Sequence, residues 1–310
     1  MGAISSAILH FVKHGEHIIS IKNVYGPANN FMNVYLKEKC NIETTFIDGK
    51  DIKDFENSIK DNTKLIYLES PSSAVFGLQD IKKVVALAKK NNIKTIIDNT
   101  WATPVFQRPL EMGIDLEIHS CSKYIGGHSD VVAGVVVGKE IDIRSIFDRE
   151  HAFLGAKLSP FEAWLILRSL RTLKIRMLQH QENAIAVANF LDEHPKIKKV
   201  LYPGIESFEQ YQLAKEQMSG FSGLMGFIID SNNIDEIKNF FNSLKYFRIG
   251  VSWGGHESLI YAPAISYLKE MPKEQFDNMG ISLGVMRISV GLEEVNDLID
   301  DLKQALKHIK

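Results

Sequence analysis

The sequence is poor in cysteine and in long apolar runs. Only Cys40 and Cys121 occur among its 310 residues, too few for a disulfide scaffold and without the paired spacing of a zinc site. Both are expected to be core thiols of a protein in a reducing compartment. No apolar run is long enough to span a bilayer, and the apolar start of the chain lacks the basic residues and cleavage site of a secretory signal. We therefore predict a cytoplasmic protein that has no membrane partner.

Charge of one sign is not concentrated anywhere in the chain. The 36 basic and 38 acidic residues are interspersed, and the formal net charge is -2. A nucleic acid is therefore not expected as a partner. The chain is 45% hydrophobic and 24% charged and has no internal repeat, so it is predicted to be globular, with room for one large or two ordinary domains.

Short β-branched runs alternate with helical patterns in the first half of the chain. The strand candidates are residues 17–21, 43–48, 64–69 and 94–98. Between the last two, one helix face is marked by Ile81, Val84, Val85 and Ala88. A further buried strand is predicted at 131–138. This rhythm predicts an α/β fold with a mostly parallel sheet and helices on both faces.

The sequence pattern changes near residue 159, and this change predicts a second domain. A long helical pattern begins there, with Ser159 as N-cap, Pro160 at the first helical position and Glu162 at the third, which together form a capping box. We expect a large domain over 1–158 and a smaller α+β domain over 159–310.

The smaller domain is predicted to contain two strands and a capped helix. The strands are expected near residues 223–230 and 285–291. Asn233 and Glu236 are expected to cap the helix that begins at residue 234.

Two charged residues stand where a parallel sheet would bind a ligand. Asp98 closes the strand "KTIID", and Lys123 follows 25 residues later in "SCSKYIGG". Ligands bind beyond the carboxyl ends of such strands, and the interval allows one more helix and strand to return to the same edge. The two side chains are thus predicted to face one cleft. Alternatively, each is an ordinary loop or turn residue, or the two form a simple ion pair.

The residues around Lys123 favour pyridoxal 5'-phosphate as the ligand. Its aldehyde needs an amine, its ring nitrogen needs a carboxylate to stay protonated, and its phosphate needs hydroxyl and backbone donors. Ser120 and Ser122, two apart, are expected on the same side of an extended chain beside the lysine. If Asp98 and Lys123 only form an ion pair, these serines are incidental.

Four segments resemble one family of enzymes over nearly the whole chain. They are residues 98–134, 167–191 ("LRSLRTLKIRMLQHQENAIAVANFL"), 252–263 ("SWGGHESLIYAP") and 287–293 ("RISVGLE"). Their pattern resembles the cystathionine synthase and lyase family, pyridoxal-phosphate enzymes of fold-type I that act on cysteine, homocysteine and their thioether. The resemblance implies that fold, that cofactor and an amino-acid thioether as substrate.

The resemblance also implies roles for the residues around the lysine. Lys123 would form the Schiff base with the cofactor, Asp98 would pair with the pyridine nitrogen, and Ser120 and Ser122 would hold the phosphate. Tyr25 in "NVYGPA" matches the family tyrosine that stacks on the cofactor ring, and joins Lys123 as a candidate catalytic residue. His119 and His128 are not accompanied by other potential metal ligands and are expected to be structural, so no metal is predicted.

The substrate side of the site is implied by a second group of residues. Arg287 matches the arginine that clamps the substrate carboxylate, and the Ser252 and Trp253 loop is expected to help orient the substrate. Trp253 and Ser73 depart from γ-acting members, which generally have a smaller residue and an Asn there. Both departures resemble bacterial cystathionine β-lyases, whose release of homocysteine serves methionine biosynthesis.

The start of the chain differs from the family pattern. Met1 aligns with the Met of an internal "S-G-M-x-A" motif, which makes Met1 and Gly2 candidate cofactor residues at the phosphate-binding turn. An upstream segment that grips the cofactor of a neighbouring subunit is expected to be missing, at a cost of about 1.5 to 3 kcal/mol for one charge-assisted phosphate contact.

Three functional hypotheses therefore stay open at this point. The first is cleavage at Cβ of cystathionine, the second is a γ-synthase or γ-lyase activity, and the third is a non-catalytic remnant that keeps the fold. The family's tetramers built from tight dimers imply a homo-oligomer.

Overall fold

The computed structural model of the chain describes residues 1–270 and 282–310. These residues form two compact units. The first contains Met1–Gly126, Asp130–Arg171 and Gln212–Gly220, and the second contains Gly127–Ser129, Thr172–Tyr211 and Phe221–Lys310. A domain boundary at residues 158 and 159 stays a prediction.

The first unit is built on a six-stranded sheet. Its strands are β1 (His17–Ile21), β2 (Glu43–Ile47), β3 (Thr63–Glu69), β4 (Lys94–Asp98), β5 (Leu116–Ser120) and β6 (Gly134–Gly138). Their order in space is β2-β1-β3-β4-β5-β6, and all neighbours are parallel except β5 and β6. The predicted α/β fold with a mostly parallel sheet is confirmed.

Short helices cover this sheet. They are α1 (Gly2–Phe11), α2 (Gly26–Asn30), α3 (Leu36–Cys40), α4 (Ile52–Glu56), α5 (Ile81–Lys90), α6 (Thr103–Phe106), α7 (Glu140–Ile146), α8 (Ala152–Leu154) and α9 (Pro160–Leu170), with α11 (Tyr211–Gln217) later in the chain. The predicted apolar face of α5 is buried at all four positions. Asp80 caps that helix by accepting a hydrogen bond from the Lys83 amide at 3.1 Å.

The sequence predicts the central strands well because both of their faces are buried. β1 and β4 begin and end as expected, and β1 is buried along its whole length. Strands covered by helices on both sides are apolar at nearly every position. Such runs are easily found in a sequence.

The buried strand expected at 131–138 is wrong in extent and in burial. β6 begins at Gly134 and is partly exposed, with Val135 and Val137 among the exposed apolar side chains. It is the edge strand of the sheet and pairs only with β5. Val136 packs against the core, and α1 and α7 contact this strand, whereas Val135 and Val137, which alternate with Val136, are exposed.

The second unit contains a smaller sheet and is α+β, as predicted. Its strands are β7 (Ile197–Leu201), β8 (Leu224–Ile229), β9 (Arg248–Ile249), β10 (Leu259–Tyr261) and β11 (Val285–Ser289), in the order β7-β8-β11-β10-β9. Its helices are α10 (Leu173–Asp192), α12 (Ile234–Ser243), α13 (Pro263–Glu270) and α14 (Val295–Ala305), followed by a 3-10 turn at Leu306–His308.

The capping predictions hold with one correction. Ser159, Pro160 and Glu162 form the expected capping box of α9, and Asn233 accepts hydrogen bonds from the first amides of α12. Glu236 instead accepts a hydrogen bond from the Ser231 hydroxyl at 2.8 Å.

The long helical pattern from residue 159 is two helices, since α9 ends at Leu170 and α10 begins at Leu173. Among the described residues, no helix combines the length and the apolar character needed to cross a membrane.

Candidate active site

Two polar strand ends lie side by side at the carboxyl edge of the large sheet. Asp98 ends β4 and Ser120 ends β5, which is its parallel neighbour. Thr100 joins them, because its hydroxyl donates to Asp98 Oδ1 and accepts a hydrogen bond of 2.8 Å from the Ser120 amide. Lys123 follows Ser120 by three residues. The predicted return of the chain to the edge that carries Asp98 is therefore confirmed.

Asp98 is buried and has one oxygen committed. The side chain is 8% exposed, and Oδ1 also accepts a hydrogen bond of 3.0 Å from the Thr100 amide. Within the described residues, Oδ2 receives no hydrogen bond. Burial raises the pKa of the Asp98 carboxyl, while the hydrogen bonds from Thr100 and the nearby His119 oppose that rise.

The chain stops being extended before it reaches Lys123. Residues Cys121–Ile125 form a turn of π-helix, within which Lys123 has a non-helical conformation with φ -96° and ψ -133°. Lys123 is partly buried. A π-turn that contains such an irregularity is often a functional site.

The expected placement of Ser120 and Ser122 on one side of an extended chain is therefore wrong. Ser122 lies in the turn, where its hydroxyl accepts a hydrogen bond of 3.1 Å from the Ala133 amide. Across the described part of the chain, the Ser120 hydroxyl has no hydrogen-bond partner. Of the two serines, Ser120 is therefore the one whose hydroxyl is uncommitted. The Ser122 hydroxyl instead holds the chain in place as it returns toward β6.

The first turn of α1 lies close to this strand end. Gly134 begins β6 and pairs with Ser120 across the sheet. A Cβ atom on Gly134 would be 2.9 Å from the Ala3 side chain, so the glycine allows the close approach of α1. Met1 and Gly2, the candidate phosphate-turn residues, precede Ala3, and Met1 is exposed. Their cofactor contacts stay a prediction.

Tyr25 follows β1 and stands immediately before α2. Its side chain is 48% exposed, so it is not a core aromatic. The sheet order reverses between β1 and β3, since β2 lies on one side of β1 and β3 on the other. Such a switch point opens a crevice at the carboxyl ends of the strands, and Tyr25 lies at that end.

Glu69 belongs to the same edge and was not predicted. It ends β3, pairs in register with Asp98 and is 4% exposed. Its carboxylate accepts a hydrogen bond from the Tyr25 amide on Oε2 and one from the Ser73 amide on Oε1, each at 2.7 Å. The signal was present in the sequence, because Glu69 closes the apolar run "KLIYLE" just as Asp98 closes "KTIID".

The proximity of two carboxyl groups perturbs this part of the sheet. Burial, and then the charge of Asp98, raise the pKa of Glu69 to about 7, while the hydrogen bonds from Ser73 and Tyr25 oppose the rise. Tyr67 lies two residues before Glu69 on the same face of β3. Its buried hydroxyl has no partner in the described ranges, and burial with the two carboxylates raises its pKa.

His119 takes part in a buried pair. Its Nε2 lies 2.7 Å from Glu117 Oε1, and that oxygen also accepts a hydrogen bond from Asn99. His128 is exposed. Among the residues that the structure describes, no three His, Cys, Asp or Glu side chains form a group able to hold a metal ion.

The predicted substrate residues of the C-terminal half lie together in the second unit. Arg287 on β11 pairs with Tyr261 on β10, and its guanidinium lies over the Tyr261 ring, 5.3 Å from the centroid. Its Nη2 donates to the carbonyl of Val251, the residue before Ser252. Ser252 is exposed and Trp253 is buried. Arg287 is partly buried.

Comparison with known protein families shows to which family a chain with these residues at its sheet edge belongs. The family model of the Cys/Met metabolism PLP-dependent enzymes, where PLP is pyridoxal phosphate, matches residues 1–307. The chain belongs to this family. The predicted cofactor and fold type are thereby confirmed.

Relatives in the Cys/Met metabolism family include several lyases. The chain is 37% identical over 304 residues to a cystathionine gamma-lyase of Dictyostelium discoideum, covering 98% of this chain and 78% of that protein. It is 39% identical over 301 residues to a cystathionine beta-lyase of Lactococcus lactis (97% and 78%). It is 42% identical over 308 residues to an L-methionine gamma-lyase of Porphyromonas gingivalis (99% and 77%).

The residues at the sheet edge fit the cofactor of the Cys/Met metabolism family. A cationic ring nitrogen needs a carboxylate, and Asp98 offers a buried one with an uncommitted oxygen. A phosphate needs hydroxyl donors, and Ser120 has a hydroxyl without a partner in the described part of the chain. The aldehyde needs an amine, and Lys123 lies in the turn that follows Ser120.

Proposed function

We propose that this protein cleaves L-cystathionine at Cβ, a carbon–sulfur β-elimination that consumes water and yields homocysteine, pyruvate and ammonia. The observation that carries the proposal is the edge formed by Asp98, Ser120 and Lys123, whose chemistry suits the family cofactor. Bound there, pyridoxal phosphate supplies an electron sink for the negative charge that develops at Cα of an amino acid.

Residues of this chain are assigned to cofactor binding and to proton transfer. Lys123 Nζ would hold the cofactor through its aldehyde and would accept the Cα proton of the substrate. A neutral amine is needed for that step. The Asp98 carboxylate holds a proton on the cofactor ring nitrogen. The ring of Tyr25 stacks on the cofactor, and Ser120 and Ser122, with Met1 and Gly2 at the start of α1, hold its phosphate.

Substrate orientation is assigned to a second group of residues. Arg287 binds the substrate carboxylate, since a planar guanidinium matches a carboxylate bidentately. Ser252, Trp253 and Ser73 are assigned to substrate binding by their match to the family pattern. A substrate that is held by its carboxylate loses rotational freedom before the reaction begins.

The choice of Cβ over Cγ is supported by two side chains. Trp253 and Ser73 stand where γ-acting members generally have a smaller residue and an Asn. Relatives named for both reactions are similar to this chain at 37 to 42% identity, so overall similarity does not favour either. A γ-synthase or γ-lyase activity is the alternative.

We also propose that the chain works as a homo-oligomer, a dimer or a tetramer of dimers. α9 carries three apolar side chains on its exposed surface, Phe161, Trp164 and Leu167, which are 66%, 55% and 63% exposed. A contiguous apolar surface of this kind is typical of an interaction site, and a second copy of the chain is the proposed occupant.

The products test the reaction directly. The chain is incubated with pyridoxal phosphate and cystathionine, and the products are identified by mass spectrometry. Pyruvate with homocysteine is the expected result. Cysteine with 2-oxobutyrate would replace this proposal with γ-cleavage, and no turnover together with no borohydride-fixed cofactor on Lys123 would leave a non-catalytic protein.

Variants test the assigned roles. Lys123→Ala is expected to lower turnover at least 10²-fold, the contribution of one acid–base group, with the fold intact by circular dichroism. Lys157→Ala, which changes an exposed lysine of the first unit, is the matched control and should leave turnover unchanged. Asp98→Ala should keep the borohydride-fixed adduct and lose most of the rate. Full activity in Asp98→Ala would reject the role of that carboxylate.

A further inference from the structure

One buried carboxylate at the sheet edge has a geometry that the proposed chemistry does not use. Glu69 ends β3 beside Asp98, and its two oxygens accept separate hydrogen bonds from the backbone amides of Tyr25 and Ser73. The Ser73 side chain also bonds to this carboxylate. Glu69 therefore connects the segment after β1 with the loop after β3.

These two segments leave neighbouring strands at the point where the sheet order reverses. β1 and β3 are neighbours, yet the chain visits β2 on the far side of β1 between them. Loops that leave such neighbouring strands diverge and make room for a ligand. A bond that joins both loops to one strand end sets how far apart they stand.

The contact helps to fix the backbone from which the Tyr25 ring projects. The side chain is 48% exposed, so its position follows from the position of its backbone. The helix that begins after Tyr25 continues from α2 through a π-helical turn at Phe31–Tyr35 into α3, and its buried Ala28 and Met32 pack into the core. The Tyr25 amide on Glu69 ties the residue before this helix directly to the end of β3.

A carboxylate is placed here despite its cost. Two buried carboxyl groups in register repel each other and are poorly solvated. An apolar residue at position 69 would remove that repulsion from Asp98. The two short hydrogen bonds offset the cost, and they require an acceptor on each side of the group.

We propose that Glu69 is a positioning residue of the site, which holds the backbones of Tyr25 and Ser73 and thereby sets where the Tyr25 ring and the Ser73 side chain stand beside Asp98. The role deepens the proposed function and rests on it for the cofactor and substrate. Glu69 does not itself take part in the bond-breaking steps.

The isosteric substitution Glu69→Gln separates this role from simple packing. The Gln side chain has only one acceptor oxygen, so its NH₂ group would face the backbone amide of either Tyr25 or Ser73. Both of these groups are donors, and one hydrogen bond would therefore be lost. Glu69→Asp keeps the charge but is one methylene too short to reach both amides. Glu117→Gln is the matched control, since Glu117 lies in the same sheet, is equally buried at 4% and contacts His119 and Asn99 instead.

The first measurement is hydrogen exchange of the amides in the chain without cofactor. In Glu69→Gln, exchange of the Tyr25 or Ser73 amide is expected to become about tenfold faster, which corresponds to about 1.4 kcal/mol, while amides of β4 and β5 keep their protection. The Glu117→Gln control should leave both amides as they are. Unchanged exchange in Glu69→Gln and Glu69→Asp, or an equal rise in the control, would overturn the proposal. If Glu69→Gln does not fold, Glu69→Asp gives the result.

The second measurement is the affinity for pyridoxal phosphate by equilibrium dialysis. Glu69→Gln should weaken it about tenfold, the factor that 1.4 kcal/mol represents, whereas Glu117→Gln should not. Failure of the wild-type chain to bind the cofactor, with the two amides still responding to Glu69→Gln, would reject the proposed function and leave Glu69 only as a backbone tether. Normal binding by wild type and both variants would reject the positioning role alone.

Discussion

Arg287 rests on an aromatic ring of its neighbouring strand. The guanidinium carbon is 5.3 Å from the Tyr261 ring centroid, and the two residues are cross-strand partners on antiparallel β10 and β11. A cation over an aromatic face is stabilised by about 0.5 to 2 kcal/mol. Together with the Val251 carbonyl, the ring restricts the directions in which Arg287 can present its remaining donors.

Tyr261→Leu is therefore expected to weaken carboxylate binding. The KM for an amino-acid substrate should rise by about 2- to 30-fold, which is the range of the cation–π energy, with a smaller change in kcat. Tyr261→Phe keeps an aromatic face and should stay close to wild type. The check is inhibition by a substrate-like amino acid and by the corresponding amine without a carboxylate. Equal weakening of both ligands would contradict the role of Tyr261 in holding Arg287.

Glu69 predicts a specific dependence of stability on pH. Its pKa is raised to about 7 in the folded chain against 4.5 as the ordinary value, with Asp98 and Tyr67 as the titratable groups near it. Between these pH values the folded state holds a proton that the unfolded state has lost. Stability from this group is therefore lost as pH rises from about 4.5 to about 7, by at most about 1.4 kcal/mol per pH unit.

Urea unfolding of wild type and Glu69→Gln from pH 4 to pH 8 measures this slope. Between about pH 4.5 and about 7, the free energy of unfolding of wild type should fall relative to that of Glu69→Gln. Above about pH 7, the two free energies should change with pH in parallel. A difference between wild type and Glu69→Gln that stays constant with pH would show that Glu69 titrates normally.

Single residues of the site differ in how well the sequence predicts them. Asp98 and Lys123 were predicted because one closes and the other follows an apolar strand, and because one cofactor needs both side chains. Glu69 obeys the same strand-end rule and was missed, because its partners are the backbone amides of Tyr25 and Ser73. Every residue except proline has such an amide, so no side-chain pattern in the sequence marks the contact.

At the scale of elements, the start of α9 is the clearest local signal in the chain. The Ser159 hydroxyl accepts a hydrogen bond of 3.2 Å from the Glu162 amide, and the Glu162 carboxylate accepts one of 3.2 Å from the Ser159 amide. Loss of an N-cap hydroxyl costs about 1 kcal/mol. Ser159→Ala is thus expected to lower the free energy of unfolding by about that amount, while Ser159→Asp should retain most of it. Chemical denaturation provides the test, and equal stability of the Ala and Asp variants would contradict the capping contribution.

Elements that depend on tertiary context were predicted less well. β6 has the valines of a buried strand, but its position at the edge leaves it partly exposed. The break between Leu170 and Leu173 has no glycine or proline to announce it. β1, β4 and α5 were predicted correctly because their burial follows from their own periodicity.

At the scale of the molecule, similarity to the family is spread over almost the whole chain. The match covers residues 1–307, and relatives named for β- and γ-cleavage are 37 to 42% identical to it. Most of this identity reflects a shared fold and cofactor. The reaction depends on a few side chains near the substrate, so the product assay with variants at Ser73 and Trp253 is more informative than further similarity.

The exposed apolar surface of α9 predicts how the chain assembles. Phe161, Trp164 and Leu167 recur every three residues, so they extend along one side of the helix, and all three are more than half exposed. Charge placed on this surface would have to be buried in a subunit interface without a partner, which costs several kcal/mol. Leu167→Glu is therefore expected to shift the chain toward monomer.

Sedimentation velocity of wild type, Leu167→Glu and Lys82→Glu measures this shift. Lys82 is exposed on α5, whose outer face is polar, so Lys82→Glu controls for the added negative charge and should sediment as wild type does. Wild type is expected as a dimer or larger assembly, and Leu167→Glu as a smaller species at the same concentration. A monomeric wild type would remove the proposed interface, and an unchanged assembly in Leu167→Glu would place it on another surface of the chain.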